Sequence, residues 1–188
     1  MSSNQSPMRG VGCTCAELMN AGLRDRRGFL RALAGGAMAL GLAPFAALAA
    51  KGKYEAMLLS CIDPRFQSPV HHYMHEQTLT DQYSQFSIAG AAIGVVAPAF
   101  KEWHKTFWDN LGASVQLHSI NRVIVINHRD CGAAKIAYGE AAVKDRATET
   151  ATHQNALAQF RQALTERFPA LSSVTGLMAI DGTLETFS

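Results

Sequence analysis

The chain has 188 residues, 48% of them apolar and 17% charged, with a formal net charge of +2. A single domain usually takes about 100–200 residues, so the length points to one domain. The charge is too balanced for a nucleic-acid binder, the apolar content too high for a disordered chain, and four cysteines too few for a disulfide scaffold.

The first fifty residues are unlike the rest. Arg24, Arg26, Arg27 and Arg31 form a basic region, and residues 32–50 then run without a charge, mostly as Ala, Gly and Leu. A membrane span needs about twenty strongly apolar residues, and Gly35, Gly36, Gly41 and Pro44 make this run a poor one. Ala47-Leu48-Ala49 offers a cleavage site ahead of Ala50, so residues 1–49 read as an export signal peptide and 50–188 as the working domain. An uncleaved anchor and a buried helix are the alternatives. The stretch Asp25-Arg26-Arg27-Gly28-Phe29-Leu30-Arg31 resembles the twin-arginine (Tat) signal, whose core is Arg-Arg-x-Phe-Leu followed by a basic residue. That resemblance implies export of an already folded protein, to the periplasm, often with its cofactor bound. Cleavage leaves 139 residues with twelve Lys and Arg against thirteen Asp and Glu, a net charge of −1. Cys13 and Cys15 leave with the signal, either without function or as a transient metal site; Cys61 and Cys131 remain.

Further along, 54–60 reads as a short strand, 83–88 as a weaker one, and 121–127 as a strong one through Val123-Ile124-Val125-Ile126. Unbroken apolar runs suit a parallel sheet covered on both faces. Helical patterns lie between and after them, at 69–79, 97–111 and 148–168. In the last, Leu157, Phe160, Leu164 and Phe168 recur at helical spacing and Pro169 ends the pattern. Residues 174–180 and 183–187 flank Asp181-Gly182, a hairpin signal because Asp-Gly accepts the positive φ angles of a tight turn. The alternation predicts an α/β fold, a mostly parallel central sheet flanked by helices with one antiparallel edge strand.

Two clusters carry the chemistry. Cys61, Asp63 and Arg65 follow the first strand as Cys-Ile-Asp-Pro-Arg, and His128 and Cys131 follow the strand at 121–127 as His-Arg-Asp-Cys-Gly. Ligands of open α/β sheets gather beyond the carboxyl ends of the strands, where the strand order switches. Two thiolates and an imidazole suit Zn²⁺, and three protein ligands leave the fourth position open, as catalytic zinc sites do. Cys131 precedes a helix that Gly132 would open, where the helix dipole favours thiolate. From spacing alone, a Cys61–Cys131 disulfide or inert thiols remain equal alternatives.

Cys-x-Asp-x-Arg followed by His-x-x-Cys-Gly, with an Ala-Gly pair between and a closing Gly-x-x-x-x-Asp-Gly hairpin, resembles the β-class carbonic anhydrases from about Lys53 to Ser188. The resemblance implies one zinc per subunit held by Cys61, His128 and Cys131, with Asp63 and Arg65 as the catalytic dyad. Arg65 would hold Asp63 off the metal in an open form; in a closed form Asp63 itself would bind zinc. The implied reaction is reversible hydration of carbon dioxide to bicarbonate. Zinc lowers the pKa of bound water from about 16 to about 7, and the hydroxide attacks carbon dioxide. The resemblance also implies a homodimer or higher homo-oligomer. A carbonyl sulfide or carbon disulfide hydrolase and a non-catalytic zinc domain are the rival readings.

Some residues depart from the pattern. Where the family often has Arg-Asn-Ala-Gly, this chain has Ser87-Ile88-Ala89-Gly90. The 91–120 segment, with Trp103, His104, Phe107 and Trp108, is expected to pack as an extra helix; covering the pocket or extending an interface are its other possible roles. His71, His72 and His75 share a helical face. They read as a solvated or partly buried face, with proton transfer to buffer as the alternative.

Overall fold

The computed structural model describes residues 53–188. The export signal expected at 1–49, with Cys13 and Cys15, lies outside the described residues. The elements run in chain order as β1 (Ala56–Ser60), α1 (Gln67–Glu76), β2 (Tyr83–Ser87), α2 (Ala92–Val96), α3 (Lys101–His118), β3 (Arg122–His128), α4 (Gly132–Tyr138), α5 (Arg146–Arg167), β4 (Ser172–Met178) and β5 (Leu184–Phe187). Short 3₁₀ turns at Pro64–Phe66, Pro98–Phe100 and Glu140–Val143 complete the order.

The expected α/β architecture is present. One five-stranded sheet has the order β2-β1-β3-β4-β5. The β1–β2, β1–β3 and β3–β4 pairs are parallel, and β5 closes the edge antiparallel to β4. Helices cover both faces, and the strands alternate strictly between them. Ala56, Leu58, Ile124 and Ile126 face one core with Phe66, Val70 and Met74. Met57, Leu59, Val123 and Val125 face the other with Phe107, Leu111, Leu157 and Phe160. This period of two is the reason β1 and β3 read as continuous apolar runs.

Several boundaries differ from the pattern-based expectation. The helix expected at 97–111 begins only at Lys101 and continues to His118, because Pro98 opens a separate 3₁₀ turn. Its Phe107 and Leu111 are fully buried, so it packs as the extra helix expected. The helix expected from Pro69 begins at Gln67; a proline in the first turn lacks only an N–H that has no helical partner. The short α2 escaped the pattern, since five residues give no periodicity. The hairpin takes positive φ only at Gly182 (92°), with Gly182 N–H donating to Ala179 O at 3.0 Å. Asp181 instead accepts from Thr183 N–H through its side chain at 2.9 Å.

Candidate metal centre

The chain passes from β1 to β2 on one side of the sheet, then returns to place β3 on the other. The crevice between β1 and β3 is therefore the switch point of this topology. Ser60 pairs with Ile126, so the segments leaving β1 and β3 emerge side by side. This register brings together residues far apart in sequence. The candidate donor atoms of Cys61, His128 and Cys131, all buried, lie within 4.8 Å of one another. Zinc bonds of about 2.0–2.3 Å let one ion reach all three after small adjustments. Among the described residues no other group of His, Cys, Asp or Glu has this geometry.

Each donor is prepared by local structure. His128 is stacked on Phe66, ring centroids 4.9 Å apart, and its Nδ1 donates to Arg129 O at 2.8 Å. That bond fixes the proton on Nδ1 and leaves the Nε2 lone pair for a metal. Nε2 is buried without a hydrogen-bond partner, which an ion between the three donors would remedy. Cys61 Sγ accepts from Gly90 N–H at 3.2 Å. Gly90 has φ +82°, and a Cβ there would stand 3.0 Å from the Ala133 Cβ, so the small Ala89-Gly90 pair is what lets the backbone approach. Cys131 forms the N-cap of α4. Both cysteines are free.

The two thiols influence each other's ionisation. Cys61 is pushed down, chiefly by the neighbouring Cys131 thiol, against the cost of burial. Cys131 is pushed up, because ionising it would set a second thiolate beside the first. A divalent cation held by both sulfurs would remove that conflict, since it would neutralise two thiolates at once. Burial works to lower His128, but Cys61, the Arg129 carbonyl and Asp63 together outweigh it and the imidazole is raised.

Asp63 and Arg65 are tied together on the solvent side. Asp63 Oδ1 accepts from Arg65 N–H and Nε at 2.9 and 3.1 Å, and Oδ2 from Nη2 at 2.7 Å. This grip holds Asp63 down to about 2. Asp63 Oδ2 is also 3.9 Å from His128 Nε2, so the carboxylate borders the space between the donors. Arg65 reaches across to Asp130 as well, with Nη1 on Oδ2 at 2.9 Å and Nη2 on the carbonyl at 3.3 Å. Gln67 donates to the carbonyls of Cys61 and Asp63, fixing the turn between them.

A family model described as "Putative carbonic anhydrase" matches residues 51–168. The chain belongs to this carbonic anhydrase family. An uncharacterized protein of Rickettsia conorii is 33% identical over 129 residues, 69% of each chain. One of Rickettsia bellii is 33% identical over 69% of this chain and 79% of its own. Among solved structures, the β-carbonic anhydrase CafA of Aspergillus fumigatus superposes with a TM-score of 0.50 at 13% identity, over 93% of this chain and 84% of that one. The β-carbonic anhydrase CcaA does so with 0.51 at 16% identity, over 87% and 86%. These likenesses carry the fold.

Within this carbonic anhydrase fold, other predicted residues lie away from the metal centre. His71 contacts Gln85 and His72 pairs with Glu76, both on the exposed face of α1. His75 lines a shallow hollow with His71 and Asp81. Trp103 stacks on Phe100 and lines a mostly apolar hollow of about 340 Å³ with Ile62, Ser87, Ile88, Ala89 and Thr106. The 91–120 segment therefore fills the core and also lines a hollow next to Ile62, the residue after Cys61.

The sequence reading missed the polar support beneath the second cluster. Arg129 is buried and donates to Glu149, Thr150 and Glu185. Asn127 Oδ1 accepts from Ala92 N–H at 3.1 Å, which turns its amide nitrogen toward His153 Nδ1 at 2.9 Å. His153 is fully buried, and burial holds its pKa down to about 4. A signal was available in the spacing. Glu149 and His153 extend the stripe of Ala156, Leu157, Phe160 and Leu164 backward at helical intervals, but polar residues do not register as a buried face.

Proposed function

We propose that this chain is an exported zinc carbonic anhydrase of the β type, interconverting carbon dioxide and bicarbonate. Cys61, His128 and Cys131 hold one Zn²⁺ per subunit, and Asp63 with Arg65 forms the catalytic pair. One observation carries this reading: two thiols and an orphaned imidazole nitrogen converge at the switch point, with an arginine-held carboxylate at their border. Bound zinc supplies Lewis acidity that brings the ionisation of water toward neutral pH.

The chain's own residues do the rest. The Nδ1–H of His128, fixed on Arg129 O, aims the other nitrogen inward. Gly90 N–H draws off some charge from Cys61, so the thiolates quench the metal's acidity less. Asp63 stays ionised at every working pH because Arg65 holds it. It therefore accepts a hydrogen bond and orients the attacking water rather than storing a proton. Arg65, gripping both Asp63 and Asp130, keeps the carboxylate at the rim.

Ile62 and Ala89, the chain neighbours of Cys61 and Gly90, help line a mostly apolar hollow that also holds Ser87 and Thr106, which suits a small substrate making few hydrogen bonds. Carbonyl sulfide and carbon disulfide meet the same description, and this hollow supports a hydrolase as the second reading. Exposed Ile62, Trp103 and Ile136 support a homodimer or higher homo-oligomer. The Arg26-Arg27 signal supports Tat export to the periplasm with cleavage after Ala49, so that zinc enters before the thiols meet an oxidising compartment.

Stopped-flow assays of zinc-quantified protein against carbon dioxide, carbonyl sulfide and carbon disulfide test the reading. Fastest turnover on carbon dioxide supports it; turnover on the sulfur compounds alone replaces it with the second. Zinc-free protein with a Cys61–Cys131 disulfide overturns both.

A further inference from the structure

The two residues between His128 and Cys131 are both gripped by one carboxylate. Glu149, 9% exposed on α5, accepts Asp130 N–H at Oε1 (2.6 Å) and Arg129 Nη1 at Oε2 (3.0 Å). Arg129, 7% exposed, is also anchored through its backbone N–H to Met178 O. Asp130 has φ 55°, a left-handed conformation uncommon for a residue with a Cβ. Its carboxylate and carbonyl both receive Arg65, which in turn holds Asp63. A continuous line of contacts thus runs from Glu149 through Asp130 and Arg65 to Asp63.

We propose that Glu149 is a positioning residue of the metal centre. It holds the His128–Cys131 loop in the shape that presents both ligands, and through Asp130 it sets Arg65. A carboxylate suits the task because both oxygens accept, and both partners are donors. Glutamine would turn an NH2 group on one of them. The proposal rests on the zinc reading of the site and not on the identity of the substrate.

Glu185 supplies the control. It accepts from Arg129 at 2.8 Å and from Arg146 at 2.7 Å but does not touch Asp130. Zinc affinity is measured by chelator competition on the folded full chain, for the parent, Glu149→Gln and Glu185→Gln. Outer partners of ligands typically contribute about 10- to 100-fold in metal affinity; Glu149→Gln is expected to lose that much and Glu185→Gln less than about threefold. If Glu149→Gln does not fold, Glu149→Asp replaces it. That side chain keeps the charge but is too short to span both partners, and it is expected to bind zinc at least about threefold more weakly. Parental affinity in the folded Glu149 variant, or equal losses in the Glu149 and Glu185 variants, overturns the proposal and leaves the zinc reading intact. A parent that binds no zinc overturns both.

Discussion

The two loops that meet at the switch point are built differently. The loop after β1 gives one buried sulfur, Cys61, then turns outward to Asp63 and Arg65, whose guanidinium side is half exposed. The end of β3 gives a buried imidazole, His128, and the loop after it a buried sulfur, Cys131, with the intervening Arg129 buried too. The β3 loop is stacked on Phe66 and gripped from α5 and β5. The first loop's polar pair is held mainly by itself and by Asp130. On the proposed reading the difference divides the labour: the β3 segment supplies two of the three donors, and the β1 loop supplies the third together with the carboxylate beside them.

Variants can break this division, and the largest effect belongs to the β3 loop. Cys131→Ser removes a thiolate from the first coordination layer, so zinc affinity should fall by more than the roughly 100-fold attributable to an outer partner. Hydration should drop with it to the uncatalysed rate, as metal analysis and stopped-flow on the same sample will show. Asp63→Asn should behave in the opposite way. It keeps stoichiometric zinc but loses about 10²-fold in turnover, the order expected when a reacting group is misplaced. Zinc loss in Asp63→Asn would erase the distinction between the loops.

Phe66→Ala sharpens the comparison from the packing side. Phe66 is fully buried against His128, so the change should cost about 3–5 kcal/mol in denaturant unfolding and weaken zinc binding as well. Phe107→Ala, on the opposite face of the sheet, should cost a similar amount and leave zinc affinity in the folded protein alone.

The smallest effect concerns pH. His153 titrates near 4 when folded and near its ordinary 6.5 when unfolded. Between those values the unfolded chain binds a proton that the folded chain refuses. Its contribution is therefore complete above pH 6.5 and is lost as pH falls toward 4, by about 3 kcal/mol in all. His153→Leu should flatten that interval in unfolding curves of the zinc-free protein. Parallel curves for parent and variant would place His153 outside the titration.

How far the sequence was legible follows the same physics. β1 and β3 were readable because residues buried on both faces leave unbroken apolar runs. The clustering of Cys61, His128 and Cys131 was readable from their place at strand ends, while their assignment as donors rested on the resemblance of the two motifs to β-class carbonic anhydrases, since spacing alone left a disulfide equally open. Glu149 and His153 were not, since their burial comes from partners that tertiary contact supplies and no local pattern announces. Arg129 escaped for a related reason: a charged residue beside a ligand reads as solvated until Glu149 and Glu185 are seen around it. The bounds of α3 shifted because Pro98 favours a turn that apolar spacing alone passes over.

The central claim is that the Cys61, His128 and Cys131 cluster is a zinc site that hydrates carbon dioxide. Zinc content and stopped-flow hydration, measured together across pH on parent and Cys131→Ser protein, test it most directly. The account predicts one zinc per chain and rapid hydration in the parent, with both lost in the variant. Stoichiometric zinc without hydration at any pH, or equal rates in the two proteins, would contradict it.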